Sequence, residues 1–141
     1  MGNRREKKLP AYQRLQGNRD VNVGKKRFIT FSLCHHIKGE GQTIEEWNKL
    51  GLHGKLLERI KHICQYPTHI VRQNQWVKEY TKVNFPEHSK FKVPHHVTGV
   101  TWAVMHISKN SKEVVVGFIE DDVFYIVFLD KNHEFWPTNQ K

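Results

Sequence analysis

The sequence predicts an α+β fold: a small antiparallel sheet, made of an N-terminal strand and a C-terminal three-strand meander, with helices packed on one face. Three observations lead there. The last third alternates β-rich runs, "VTWAVMHI" (100–107), "KEVVVGFI" (112–119) and "VFYIVFL" (123–129), with the short breaks "SKNS" and "EDD" that suit hairpins. The middle of the chain carries a helical apolar stripe, with Leu52, Leu56, Ile60 and Ile63 at i, i+4, i+8 and i+11. Near its start, "RFITFSLCHHI" alternates with the two-residue period of a half-buried strand.

The elements follow in order. Residues 1–26 show no period and few large apolar side chains beyond Leu9, Tyr12 and Leu15, so they read as a basic, mostly disordered arm ahead of a single domain over 27–141. After the first strand, "GEGQ" turns the chain into "TIEEWNKLGLHGKLLERIKHICQY". Thr43 followed three places later by Glu46 is a capping box and marks a helix start. Gly51 and Gly54 each cost about 1 kcal/mol against alanine inside a helix, which predicts a kink or a break into two helices. Pro67 ends the run. "HIVRQNQWVKEYTKV" is ambiguous between helix and strand, and "NFPEHSKFKVPHH" is a loop held by Pro86 and Pro94. The chain contains no internal repeat.

The net charge of +9 is uneven. Residues 1–27 hold nine Lys or Arg against Glu6 and Asp20, net +7, which leaves +2 for the remainder. A cationic leader of this kind is a solvated end or an arm that contacts phosphates. Cys34 and Cys64 are too few for a disulfide framework and point to a reducing cytoplasm. "CHH" at 34–36 with "HIC" at 62–64 lacks the paired short spacings of a zinc site, so core cysteines are expected and no metal. The motifs of phosphate-binding loops, dinucleotide folds, serine hydrolases and zinc peptidases are missing, so no cofactor is expected. No stretch approaches the roughly 20 apolar residues that cross a bilayer, and a membrane partner is not expected.

The histidines are the candidates for chemistry, although a strand-end histidine taken alone reads equally as a surface or hydrogen-bonded residue. In a meander the first and third strands run the same way, so His106 at the end of one and His133 just past the end of the other share a sheet rim. Strands lie about 4.8 Å apart, which puts the two backbones roughly 10 Å from each other and lets inward-leaning rings flank a phosphate. One imidazole can then act as base while the other, protonated, acts as acid. RNA supplies its own nucleophile in the 2′-hydroxyl, so base, acid and nearby cations are sufficient. Lys109, Lys112 and Lys131 are close enough in sequence to supply the positive charge. Trp136 or Phe135 is either a base-stacking platform or a plug on the core.

"HHVTGVTWAVMHI" followed by "EVVVGFIEDDVFYIVFLDKNHEFW" resembles the RelE-like superfamily of bacterial toxins, ribosome-dependent mRNA endonucleases, of the YafQ and YoeB type. The shared order is a loop histidine, Gly and Trp leading into a strand, "HI" at its end, a hairpin, and a final His followed by an aromatic. The resemblance implies that His96 (or His95), His106 and His133 are catalytic. It also implies a ribosome-bound mRNA substrate and an acidic antitoxin partner. A non-catalytic RNA- or ribosome-binding module on the same scaffold is the alternative expectation.

Overall fold

The structure, a computed structural model, describes residues 27–80 and 85–137. The basic arm expected over residues 1–26 lies outside them.

Strand β1 (Thr30–Ser32) is followed by helices α1 (Ile44–Lys49), α2 (Leu52–Ile63) and α3 (Thr68–Gln73). Short strand β2 (Lys78–Glu79) then precedes the meander of β3 (Trp102–His106), β4 (Val114–Glu120) and β5 (Val123–Asp130). The strands form one sheet in the order β1-β5-β4-β3-β2. The fold is α+β as expected, but the sheet is mixed. β3, β4 and β5 pair antiparallel, whereas β1 runs parallel to β5 through Thr30↔Val123 and Ser32↔Tyr125. The expected all-antiparallel sheet fails at this strand because no hairpin joins it to a neighbour. Its direction is set by the crossover of three helices that carries the chain to the far edge at β2.

Local signals explain the helices. Thr43 Oγ1 accepts from Glu46 N and the Glu46 carboxylate accepts from Thr43 N, closing the capping box. Gly51, at φ 74°, takes the left-handed conformation between α1 and α2, so the glycine breaks the helix into two. Pro67 sits immediately before α3, where its fixed φ begins a helix after ending one. At the β4–β5 turn, Asp121 and Asp122 both have positive φ, as a two-residue hairpin requires.

Both faces of the sheet are covered. On one, Ala103, Met105, Val115, Phe124, Ile126 and Leu129 meet Trp47, Leu52, Ile63 and Val71 from the helices. On the other, Trp102, Val104, Val116, Phe118 and Phe128 are closed over by Phe91 and Val97 of the long loop and by Phe135. Phe135 is fully buried against Phe85, Trp102 and Phe128, so it is the plug rather than a base platform. The expected core cysteines are not a pair: Cys64 is half-buried, but Cys34 lies in the exposed turn after β1, which ends at Ser32, three residues before the alternation does at His35.

Candidate functional site

The site grows from the ends of β3 and β5. Register aligns His106 with Val114, and Val114 with Asp130, so His106 and Asp130 occupy one rim, two strands apart. Asp130 is fully buried, and its two carboxylate oxygens accept hydrogen bonds from the backbone N–H groups of Glu134 (2.9 Å) and Phe135 (2.8 Å). These bonds curl the chain back over the rim. Burial raises the Asp130 pKa, while the two N–H groups and the charge of His133 hold it down. The curl places His133 at its apex, at φ 59°.

The rings of His106 and His133 meet at 5.4 Å between centroids, tilted by 40°. His133 Nδ1 lies 2.8 Å from the Trp136 carbonyl, and His106 Nδ1 lies 3.3 Å from the Ser111 carbonyl. A carbonyl only accepts, so each Nδ1 carries the proton of its bond. The lone pair of each neutral ring therefore falls on Nε2. Burial pushes the His106 pKa below the ordinary histidine value. The positive charges of His133 and Arg59 push the same way, and the Ser111 carbonyl opposes them.

A cleft of about 660 Å³ opens beside His106, between α2, the turn after α3, and the β3–β4 loop. Arg59, His62, Trp76, Ser108 and Lys109 are among its walls, and no carboxylate residue lines it. Arg59 comes from α2. Its Nε donates to the His106 carbonyl at 3.2 Å, its Nη1 donates toward His62 Nδ1 at 3.3 Å, and its guanidinium lies 5.8 Å above the Trp76 ring. His62, Tyr66 and Trp76 form an aromatic cluster with centroids about 5 Å apart, so the arginine rests on a packed floor.

The other expected site residues are distributed unevenly. Lys109 lines the cleft, and Lys112 is exposed in the same loop. Lys131 lies in the turn after β5, where its backbone N–H donates to Gln42 Oε1 at 2.7 Å. Trp136 is half-buried and stacked on Tyr80 at 4.5 Å and 11°, so one face of its indole is already covered. His96 does not join the pair. It packs 5.8 Å from His35, which rests on Tyr125 and Phe118, and its Nε2–H donates to the His35 carbonyl at 3.3 Å. Phe118 pairs with Trp102, four residues before His106, about 13 Å away along an extended strand. His96 is thus held at the opposite end of the sheet, because it precedes β3 and its loop does not return to the far rim.

Three contributors were missed from sequence. Asp130 reads there as a polar break after a strand. Arg59 sits among Glu58, Lys61 and His62 and looks like any solvated helix face. Trp76 carries no signal except its spacing from other aromatics.

The chain matches no protein-family model, and no curated protein and no solved structure matches it. Among the described residues no group of three or more His, Cys, Asp or Glu is arranged to hold a metal ion, and no helix is long and apolar enough to cross a membrane. What fold and site define is a class by architecture: an α+β sheet whose rim presents two imidazoles beside a cationic cleft.

Proposed function

We propose that this protein is a toxin-like endoribonuclease of the RelE-like type, cutting mRNA on the ribosome by histidine acid–base catalysis. The single observation that supports it most is the pairing of His106 and His133, each with Nδ1 tied to a carbonyl and Nε2 unengaged. At 5.4 Å the rings leave no gap for a phosphate between their faces, so the scissile group sits across the two Nε2 atoms. His106, whose pKa is lowered, is the base: its Nε2 takes the 2′-hydroxyl proton as that oxygen attacks phosphorus. The bond to the 5′-oxygen breaks, and His133 Nε2 gives that oxygen its proton. The products are a 2′,3′-cyclic phosphate and a 5′-hydroxyl. Base, acid and internal nucleophile complete this reaction, so the reading needs no metal. Lys109, Lys112 and Lys131 supply positive charge, and the basic protein is matched by an acidic antitoxin.

A non-catalytic RNA- or ribosome-binding module is the second reading. It is favoured by the C-terminal aromatics, since Phe135 is sealed in the core and Trp136 is stacked on Tyr80. The two readings separate on incubation of the protein with translating ribosomes and mRNA, followed by mapping of new 5′ ends. The nuclease yields discrete 5′-hydroxyl ends that vanish with His133→Ala in a folded protein. RNA binding without cleavage at any pH would leave only the second reading.

A further inference from the structure

We propose that the cleft between α2 and the β3–β4 loop is a phosphate subsite for a nucleotide adjoining the one at the histidine pair, with Arg59 as its fixed cation. The identity of the ligand as RNA rests on the reading above. The recognition of an anion rests on different residues.

Arg59 is partly buried, yet among the described residues no carboxylate pairs with it. Ion pairs among the described residues engage Arg27, Lys49 and Arg72, and none reaches Arg59. A cation withdrawn from water without a counter-ion carries an uncompensated desolvation cost, which a bound anion offsets. The guanidinium is also aimed. Nε is committed to the His106 carbonyl, one N–H of Nη1 to His62, and the plane rests on Trp76. Both N–H groups of Nη2 and one of Nη1 remain, the fork that grips a phosphate oxygen pair.

The surroundings agree. Lys109 adds a second cation, Asn110 and the hydrogen-bonded hydroxyl pair of Ser108 and Ser111 add neutral polar groups, and no carboxylate residue lines this cleft, although Glu58 lines the adjoining one beside Arg59. A cleft of about 660 Å³ is of ligand-pocket size. It shares His106 with the catalytic pair, so a strand with one phosphate across the imidazoles has a neighbouring phosphate within reach. The bond from Nε to the His106 carbonyl makes Arg59 a positioning residue as well, because it ties the end of β3 to α2.

The test uses the full chain and two probes. One is a fluorescent single-stranded oligonucleotide made wholly of deoxynucleotides, which lacks the attacking hydroxyl and remains intact; the other is inorganic phosphate alone. Arg59→Gln is expected to weaken oligonucleotide binding by about tenfold or more and to lower the slope of log K against log salt by about one. Arg59→Lys keeps the charge without the fork and falls between. Phosphate is expected to raise the His106 imidazole pKa, followed by NMR, in the parent and not in Arg59→Gln. Unchanged affinity and salt slope in a folded Arg59→Gln overturns the subsite. So does a phosphate effect that depends on Arg59 while the oligonucleotide binds without it, because the cleft would then hold a free ion and no strand. Should Arg59→Gln fail to fold, Arg59→Lys and Lys109→Gln decide, and parental binding by both overturns the proposal. Arg59-dependent binding without cleavage by the parent removes the nuclease and keeps the subsite, whereas cleavage with Arg59-independent binding does the reverse.

Discussion

His106 and His133 bring their rings to 5.4 Å although each is anchored to a different carbonyl, Ser111 for one and Trp136 for the other. Two imidazoles this close resist being charged together, and acid–base cleavage requires the state in which the pair shares a single proton. Loss of either ring is expected to slow single-turnover cleavage by about 10²–10⁴-fold. Because the two act as a unit, the double variant is expected to fall little below the worse single one. Strictly multiplicative losses would show that the rings work independently and would remove the shared proton from the mechanism.

The same contact sets a pH dependence. His106 is held below the ordinary histidine value of about 6.5, first by burial and then by the charge of His133. Its folded state therefore binds a proton more weakly than its unfolded state. Above about pH 6.5 both states are neutral and the group contributes nothing to the pH dependence. As pH falls through that value the unfolded chain gains protons first, and stability declines until the folded pKa is passed. His36, depressed by burial against a backbone hydrogen bond with Gln42, acts in the same direction. Denaturant unfolding between pH 5 and 8 is expected to show this decline, with a smaller slope in His106→Gln. A His106→Gln slope equal to the parent's would mean that His106 titrates normally. His133→Ala is expected to raise the His106 pKa by NMR, since a neighbouring cation is gone.

Asp130 offers a sharper test of how the rim is built. Its oxygens hold the N–H groups of Glu134 and Phe135, the two residues after His133, and so close the turn that carries His133 into place. Asp130→Ala strands both donors, at about 1–3 kcal/mol each where burial is complete. Asp130→Asn keeps one acceptor but points an amide NH₂ at the other donor. Both variants are expected to lose stability, and both to lose cleavage more than stability alone explains, measured where each remains folded. An Asp130→Asn protein with parental cleavage would show that His133 is positioned by Phe135 packing alone.

What the sequence made legible follows from how local each determinant is. The capping box at Thr43, the break at Gly51 and the hairpin at Asp121–Asp122 are written within a few residues, and all three stand in the structure. The meander was readable because period-two alternation and short turns leave few alternatives. The direction of β1 was not, since it depends on a crossover of three helices and on no hairpin. The pairing of His106 with His133 followed from strand parity alone. The placement of His96 against His35, and of Arg59 beneath His106, depends on loop and helix packing that no spacing encodes. A helix face that reads as solvated becomes a cleft wall only once β3 lies beside it.

Gly117 links the strand pattern to the site. The β4–β5 ladder pairs Val116 with Phe128 but Gly117 with Ile126, leaving Val127 as the extra residue of a bulge. Before the bulge Phe124 and Ile126 face the helices; after it Leu129 does, while Val127 and Phe128 both belong to the opposite layer. The extra residue resets the alternation, and so Asp130 turns to the face of Phe135 rather than into the helical layer. A Cβ on Gly117 would collide with the Tyr125 carbonyl, a backbone atom with no rotamer to yield. Gly117→Ala is therefore expected to cost about 1–3 kcal/mol in urea unfolding and to disturb the His133 imidazole signal, because the bulge must shift. Gly54, inside α2 with open space at its Cβ, gives the contrast. Gly54→Ala is expected to stabilise by about 0.5–1 kcal/mol and leave that signal in place. A His133 signal that moves in Gly117→Ala and stays in Gly54→Ala would tie the bulge to the site. Parental stability in Gly117→Ala, with His133 unmoved, would show that the strand accommodates a side chain there and that the bulge does not aim the rim.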